Sequence, residues 1–261
     1  MERLKTRIVT GLVGGAGFLL VVYAGGLWYT ALVFFLATLA YYELIRMNRI
    51  RIMDWHGISG LFFLWLLLLP DLVWKGTMIR GDVLFLFILL LLFITVASKN
   101  RVEYKQVAYL LFSSLYLGIA FHFMNETRLV NGFWITIAVL ISTWATDTGA
   151  YFVGKARGKR KLWPSISPNK TVEGSLGGVI LSIVTMAVFA MVTNMMPIPQ
   201  ALLVGLVVSI SGQLGDLMES AIKRTLDVKD SGTILPGHGG ILDRLDSWLV
   251  VFPVLHLLHL L

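Results

Sequence analysis

Acidic and basic residues alternate closely between residues 216 and 246, in a chain with only 14% charged residues. Asp216, Glu219 and Lys223 are spaced by three and four residues, which places their side chains on one face of a helix. Lys223 could be the counter-ion of a structural ion pair. Oxygen-rich sites also suit Mg²⁺, which usually binds one or two carboxylates plus substrate phosphates. We favour the metal site.

A glycine-rich segment at residues 237–240 precedes two further aspartates. Its glycines would let backbone N–H groups approach an anion, and the following helix would direct its N-terminal dipole at that anion. Asp243 and Asp246 are three residues apart and can face the same way at the start of the last helix. Aspartates there can simply complement the helix dipole. Their density among basic residues favours a chemical role instead.

Two more segments contain candidate site residues. Asp147 lies within a predicted membrane span, where an ionisable residue is costly and is a functional candidate by default. A satisfied polar contact between helices is the alternative reading. Thr171 is predicted to cap a helix, and Lys170 beside it could reach a phosphate. This is not a Walker A loop, because the glycines follow the lysine and no strand is predicted before it.

The amino-acid composition indicates which class of protein positions these residues. The 261 residues are 57% hydrophobic, and their charged content is well below the roughly 25% of soluble domains. Cysteine is absent, which excludes disulfides, thiolate nucleophiles and thiolate metal sites. The net charge of +7 does not predict nucleic-acid binding, because the basic residues lie in short loops between hydrophobic runs.

We predict an all-α integral membrane protein with about nine transmembrane helices. A span needs around 20 mostly apolar residues. The first hydrophobic run could be a cleaved signal, but its basic flank equally suits a retained anchor, which we favour. The predicted spans are 8–24, 27–45, 57–74, 83–98, 106–124, 133–153, 174–196, 199–221 and 245–261, and the last one is short.

The distribution of basic residues predicts the orientation of these spans. With nine spans, 19 of the 22 Lys and Arg residues fall on the side of the N-terminus, which is therefore predicted to be cytoplasmic. Two longer cytoplasmic connections, 154–173 and 222–244, are the predicted location of the chemistry. Residues 1–130 would form about five spans, and residues 131–261 the catalytic region. For the basic run 155–161 we favour the alternative, an ordinary basic loop beside the membrane that binds anionic lipid headgroups.

Residues 220–246 resemble the complete signature of the phosphatidate cytidylyltransferases, also called CDP-diacylglycerol synthases. The run reads SAIKRTLDVKDSGTILPGHGGILDRLD and shows no departure from that signature. The segment around Asp147 and the stretch SPNKTVEG at 167–174 are also similar, so the resemblance covers roughly residues 140–250. The first 130 residues contain no motif of their own.

The resemblance implies that CTP and phosphatidate give CDP-diacylglycerol and pyrophosphate. It implies a requirement for Mg²⁺, a second cation such as K⁺, and a homodimer embedded among the lipids of the cytoplasmic membrane if the source is bacterial. We expect Asp147, Asp216, Glu219, Asp243 and Asp246 to be the candidate metal ligands. Phosphates would contact Lys170, Thr171, Lys223, Arg224, Lys229, Gly239, Gly240 and Arg244. His238 would donate to the leaving pyrophosphate or order the glycine turn.

Two rival functions are less consistent with the sequence. CDP-alcohol phosphotransferases contain a compact array of aspartates that this sequence lacks. An ion-coupled transporter would place Asp147, Asp216 and Glu219 near the middle of the membrane, whereas the predicted spans place them near the cytoplasmic ends. The Lys-Arg-rich signature also has no evident role in transport.

Overall fold

The computed structural model describes residues 2–69, 81–234 and 239–261. Helices dominate these ranges, and one antiparallel hairpin interrupts them. The helices are α1 (Glu2–Ala24), α2 (Gly26–Met47), α3 (Trp55–Leu68), α4 (Gly81–Ala97), α5 (Tyr104–Glu126), α6 (Gly132–Arg157), α7 (Val172–Thr193), α8 (Ile198–Thr225), α9 (Leu242–Leu245) and α10 (Trp248–Leu257). The strands are β1 (Lys161–Trp163) and β2 (Ser167–Thr171).

The helices follow the predicted spans in order. Four segments are long and apolar enough to cross a membrane: Gly26–Met47, Tyr104–Arg157, Val172–Thr193 and Ile198–Thr225. Shorter apolar helices correspond to the other spans, and part of span 57–74 lies outside the described residues. These helices are those expected of an α-helical integral membrane protein. The number of crossings and the side of the N-terminus stay predictions.

Segment Tyr104–Arg157 contains two helices rather than one. Its 54 residues would extend about 81 Å as a single helix, whereas the hydrocarbon core is about 30 Å thick. A π-helical segment, Thr127–Asn131, ends α5, and Gly132 then adopts a φ of +86°. Arg128 in this segment donates to the carbonyl of Val22, near the end of α1.

The start of α5 lies at the opposite end of the bundle. The Tyr109 hydroxyl donates to the carbonyl of Leu44, near the end of α2, at 2.8 Å. The end of α6 packs against the start of α7, where Gly154 contacts Thr171. Helices α5 and α6 therefore run in opposite directions, as their separate predicted spans require.

Helices α6 and α7 approach each other closely through glycines. A Cβ atom on Gly149 would lie 2.6 Å from the Gly177 carbonyl oxygen, and a Cβ on Gly177 would overlap Val153. Small residues permit such contact between membrane helices. As a result, Asp147 on α6 lies near the start of α7, where Lys170 is located.

The β-hairpin was not predicted, because residues 154–173 were expected to form a loop. Strands β1 and β2 pair antiparallel, with Lys161 opposite Thr171 and Trp163 opposite Ser167. Strands this short and polar have no alternating hydrophobic pattern and are not stable as an isolated hairpin. Their contacts with α6 and α7 stabilise them, and these contacts exist only in the folded chain.

Candidate active site

A polar cavity of about 560 Å³ opens between α6, α7, α8 and the hairpin. Its polar lining includes Asp147, Lys155, Asn169, Lys170, Thr171, Ser175, Gln213 and Asp216. The Lys170 Nζ atom lies 2.5 Å from Asp216 Oδ2, and both side chains are partly exposed. The structure thus brings together Asp147, Lys170, Thr171 and Asp216 at one cavity.

The hairpin and the start of α7 hold Lys170 in place. Thr171 ends β2 and caps α7, since its hydroxyl accepts a hydrogen bond from the Gly174 N–H at 3.1 Å. This confirms the predicted cap. The Glu173 carboxylate accepts hydrogen bonds from the backbone N–H groups of Lys159 and Arg160, at 3.0 and 3.2 Å. These contacts join the first turn of α7 to the chain before β1.

Replacing Thr171 by Ala is expected to lower the free energy of unfolding by about 1 kcal/mol, because one backbone N–H at the start of α7 loses its acceptor. Thr171→Ser keeps the hydroxyl and is the matched control. Thermal unfolding of the two variants in the same detergent measures the difference. Equal unfolding temperatures for the Ala variant and the wild type would contradict this role of the cap.

A second polar group lies between the end of α8 and α9. Lys223 Nζ is 2.6 Å from Asp243 Oδ1 and 3.2 Å from Glu219 Oε1. Asp243 also accepts hydrogen bonds from the backbone N–H groups of Ser231 and Gly240, at 3.0 and 2.9 Å. Burial opposes ionisation of Asp243, but the Lys223 ammonium and these N–H groups outweigh it and hold its pKa below the usual value. Asp243 is therefore a carboxylate at neutral pH.

Asp246 connects the two polar groups. Its carboxyl group is close enough to those of Asp147, Asp216 and Glu219 for electrostatic repulsion. The Ser247 N–H donates to Asp246 Oδ1 at 2.7 Å. These carboxyl groups, that of Asp243, and the ammonium groups of Lys170 and Lys223 therefore form one cluster, which we call the carboxylate cluster. Its members are Asp147, Lys170, Asp216, Glu219, Lys223, Asp243 and Asp246.

The carboxylate cluster contains the oxygen donors that Mg²⁺ prefers, but its side chains do not surround a metal ion by themselves. Among the described residues, no three Asp, Glu or His side chains form a group that could hold a metal by themselves. Mg²⁺ needs fewer protein ligands, because substrate phosphates and water usually complete its coordination. Glu219 is buried; Lys223 Nζ lies 3.2 Å from its Oε1, and its Oε2 has no hydrogen-bond partner in the part of the chain that is described. The donor set thus fits a Mg²⁺ ion whose coordination is completed by substrate phosphates and water.

The other described site residues do not belong to the carboxylate cluster. Arg224 is exposed and donates to the Val228 carbonyl at 3.5 Å, and Lys229 is also exposed. Gly239 adopts a φ of +85°, the left-handed conformation that favours glycine. Arg244 lines an apolar groove on the other side of α9. His238 lies outside the described residues.

Glu43, near the end of α2, contacts the signature segment and was missed by the sequence analysis. Its side chain is buried, and Oε2 accepts hydrogen bonds from the Leu242 N–H at 2.9 Å and the Ser231 hydroxyl at 3.2 Å. A Cβ on Gly232 or Gly240 would overlap this carboxyl group, so both glycines permit its close approach. Glu43 lies inside predicted span 27–45, so the rule that identified Asp147 could have found it.

Comparison with known proteins places these residues in a family. Residues 5–261 match the cytidylyltransferase family. The chain is 43% identical to the phosphatidate cytidylyltransferase of Bacillus subtilis strain 168, over 99% of this chain and 98% of the relative. It is also 43% identical to the enzymes of that name from Staphylococcus epidermidis and Staphylococcus aureus, over 98% of both chains in each case. The chain therefore belongs to the cytidylyltransferase family, as the signature at residues 220–246 indicated.

Proposed function

We propose that this protein is a nucleotidyltransferase that converts CTP and phosphatidate to CDP-diacylglycerol and pyrophosphate. The names of the relatives support this reaction. The observation that carries the proposal is the carboxylate cluster, which contains Lys170 and Lys223 and of which Asp147, Lys170 and Asp216 line a polar cavity. This combination suits a polyanionic nucleotide that arrives with a divalent cation.

The reaction requires positioning more than proton transfer. The phosphatidate phosphate resembles a phosphorylated side chain, whose second pKa is about 6, so it is largely dianionic at neutral pH. One of its oxygens attacks the α-phosphorus of CTP, the bond from that phosphorus to the β-phosphate bridging oxygen breaks, and pyrophosphate leaves with the electron pair. Lys170 and Lys223 would offset the negative charge and hold the phosphates in line.

Asp216, Asp243 and Asp246 are the proposed Mg²⁺ ligands, with Asp147 and Glu219 as further ligands or supporting groups. When bound, Mg²⁺ would supply charge neutralisation at the transferred and leaving phosphates. The lysines already paired with Asp216 and Asp243 could then contact the substrate phosphates. A second cation such as K⁺, and assembly as a homodimer, remain part of the proposal that the family resemblance implies.

The site is proposed to face the cytoplasm of a bacterial cell, in its cytoplasmic membrane. Glu43, near the end of α2, contacts Leu242 beside the carboxylate cluster, whereas Arg128 contacts Val22, just before the start of α2, so the cluster and Arg128 lie at opposite ends of α2. An excess of basic residues marks the cytoplasmic end of a membrane protein. That orientation would give CTP access from the cytosol and phosphatidate access from the bilayer.

The reaction is tested by incubating the purified protein in detergent with phosphatidate, Mg²⁺, K⁺ and CTP labelled in its cytosine ring. We expect label in the lipid phase, an equal amount of released pyrophosphate, and loss of both when EDTA removes the metal. Label that remains in the aqueous phase under several detergents, with folded protein, would contradict the proposal. Uptake of cations by protein-containing liposomes would then test a transport function.

A further inference from the structure

An apolar groove of about 560 Å³ lies beside the carboxylate cluster, between α1 and the rest of the bundle. We call it the α1 groove. One wall is a glycine-rich face of α1 that includes Gly11, Gly14, Gly15 and Gly17. The opposite side contains Trp144 of α6 and Trp248 of α10. Trp248 lies 5.5 Å from the Phe18 ring and 5.8 Å from the Trp144 ring, so three aromatic rings line the groove.

The α1 groove and the polar cavity share two structural elements. On α6, Trp144 lines the groove, and Asp147, one turn further, lines the cavity. Around α9, Ile241, Arg244 and Leu245 line the groove. The neighbouring Asp243 and Asp246 belong to the carboxylate cluster. The short segment 241–248 therefore separates an apolar compartment from a polar one.

An anionic lipid matches this arrangement better than a wholly apolar or a wholly polar ligand. Arg244 is the charged residue among those that line the α1 groove, and arginine is a residue type that binds phosphate through paired hydrogen bonds. The remaining lining is glycine, aliphatic or aromatic, which suits a hydrocarbon chain. A lipid whose chain lies in the groove would have its headgroup beside α9 and hence next to the carboxylate cluster.

We propose that the α1 groove binds an acyl chain of the phosphatidate substrate, with the lipid headgroup at the end of the groove formed by Arg244 and α9. This inference rests on the proposed function and adds the location of the lipid. It also gives the glycine-rich face of α1 a purpose. A Cβ atom on Gly14, Gly15 or Gly17 would meet no atom within 4 Å, so these glycines leave open space rather than permitting close helix packing.

The open space provides a test, because a Cβ atom at these positions meets no other atom and a larger side chain there would occupy part of the groove. Gly14→Leu should lower the ratio of kcat/KM for dioleoyl phosphatidate to kcat/KM for dibutyryl phosphatidate by about 10-fold, since the long chain loses buried methylene groups. Gly15→Leu should have the same effect and serves if the first variant does not fold. Gly81→Leu, at an equally open glycine of α4 outside the groove lining, is the matched control and should leave the ratio unchanged.

Three outcomes decide the proposal. A lower ratio in the groove variants, but not in Gly81→Leu, supports it. An unchanged ratio in the folded groove variants overturns it, whether their activity stays normal or falls equally for both lipids. If the activity falls equally and the variants also lose their oligomeric state, the groove would instead be assigned to a structural lipid or a second copy of the chain. A wild-type protein that converts neither lipid would overturn the proposed function itself.

Discussion

Replacing Asp246 by Asn is expected to lower the kcat for CDP-diacylglycerol synthesis by roughly 10²–10³-fold, the range seen when one preorganised electrostatic group is removed from an active site. Asp246 is the residue that joins the cavity carboxylates, Asp147 and Asp216, to Glu219. The substitution keeps the shape of the side chain and removes its charge. Initial rates at saturating CTP and Mg²⁺ measure the effect.

The unfolding temperature distinguishes this functional role from a structural one. Close carboxylates repel one another, and removing one charge relieves that repulsion. Asp246→Asn should therefore unfold at the same temperature as the wild type or at a higher one. Asp227→Asn is the matched control, because Asp227 is exposed and its φ of +54° is readily adopted by asparagine. Near-normal turnover of Asp246→Asn would remove this residue from the catalytic site.

Replacing Glu43 by Ala is expected to lower both stability and activity. The Leu242 N–H and the Ser231 hydroxyl would lose their buried acceptor, at an expected cost of about 1–3 kcal/mol in the free energy of unfolding. Leu242 directly precedes Asp243, so the signature segment would lose the contact that fixes its position. We expect kcat to fall by about 10–100-fold, as for residues that orient metal ligands. Thermal unfolding and steady-state rates at several Mg²⁺ concentrations measure the two effects.

The Mg²⁺ dependence separates a positioning role from simple loss of folded protein. If Glu43 positions the carboxylate cluster, Glu43→Ala should need a higher Mg²⁺ concentration for half-maximal rate, whereas partial unfolding would lower the rate equally at every concentration. Glu43→Gln keeps a side chain of the same length with one carbonyl oxygen as acceptor. Its unfolding temperature and its Mg²⁺ requirement should lie between those of Glu43→Ala and the wild type. Unaltered stability and rate in Glu43→Ala would show that the contact with α2 is dispensable.

The sequence alone determined the class of the protein and the chemical types in its site. Hydrophobic runs of span length can be recognised locally, because a helix satisfies its backbone hydrogen bonds within the segment. The order of the described helices follows the predicted spans. The cap at Thr171 and the pairing of Lys223 with Glu219 were also predictable, since both depend on residues only three or four positions apart. Family membership followed from a long uninterrupted signature, which the relatives confirmed.

Only the tertiary structure decided which distant residues meet. The contact between Glu43 and Leu242 joins residues 199 positions apart, and no local pattern encodes such a pair. The spacing of Asp216, Glu219 and Lys223 offered Lys223 as the counter-ion of both carboxylates. In the structure Lys223 pairs with Glu219, whereas Asp216 pairs with Lys170 from the hairpin, whose strands are too short to predict. Arg244 lies between two aspartates in the sequence yet lines the α1 groove, because successive helical residues point in different directions. Long-range packing therefore determined how the predicted groups are divided between a polar cavity and an apolar groove.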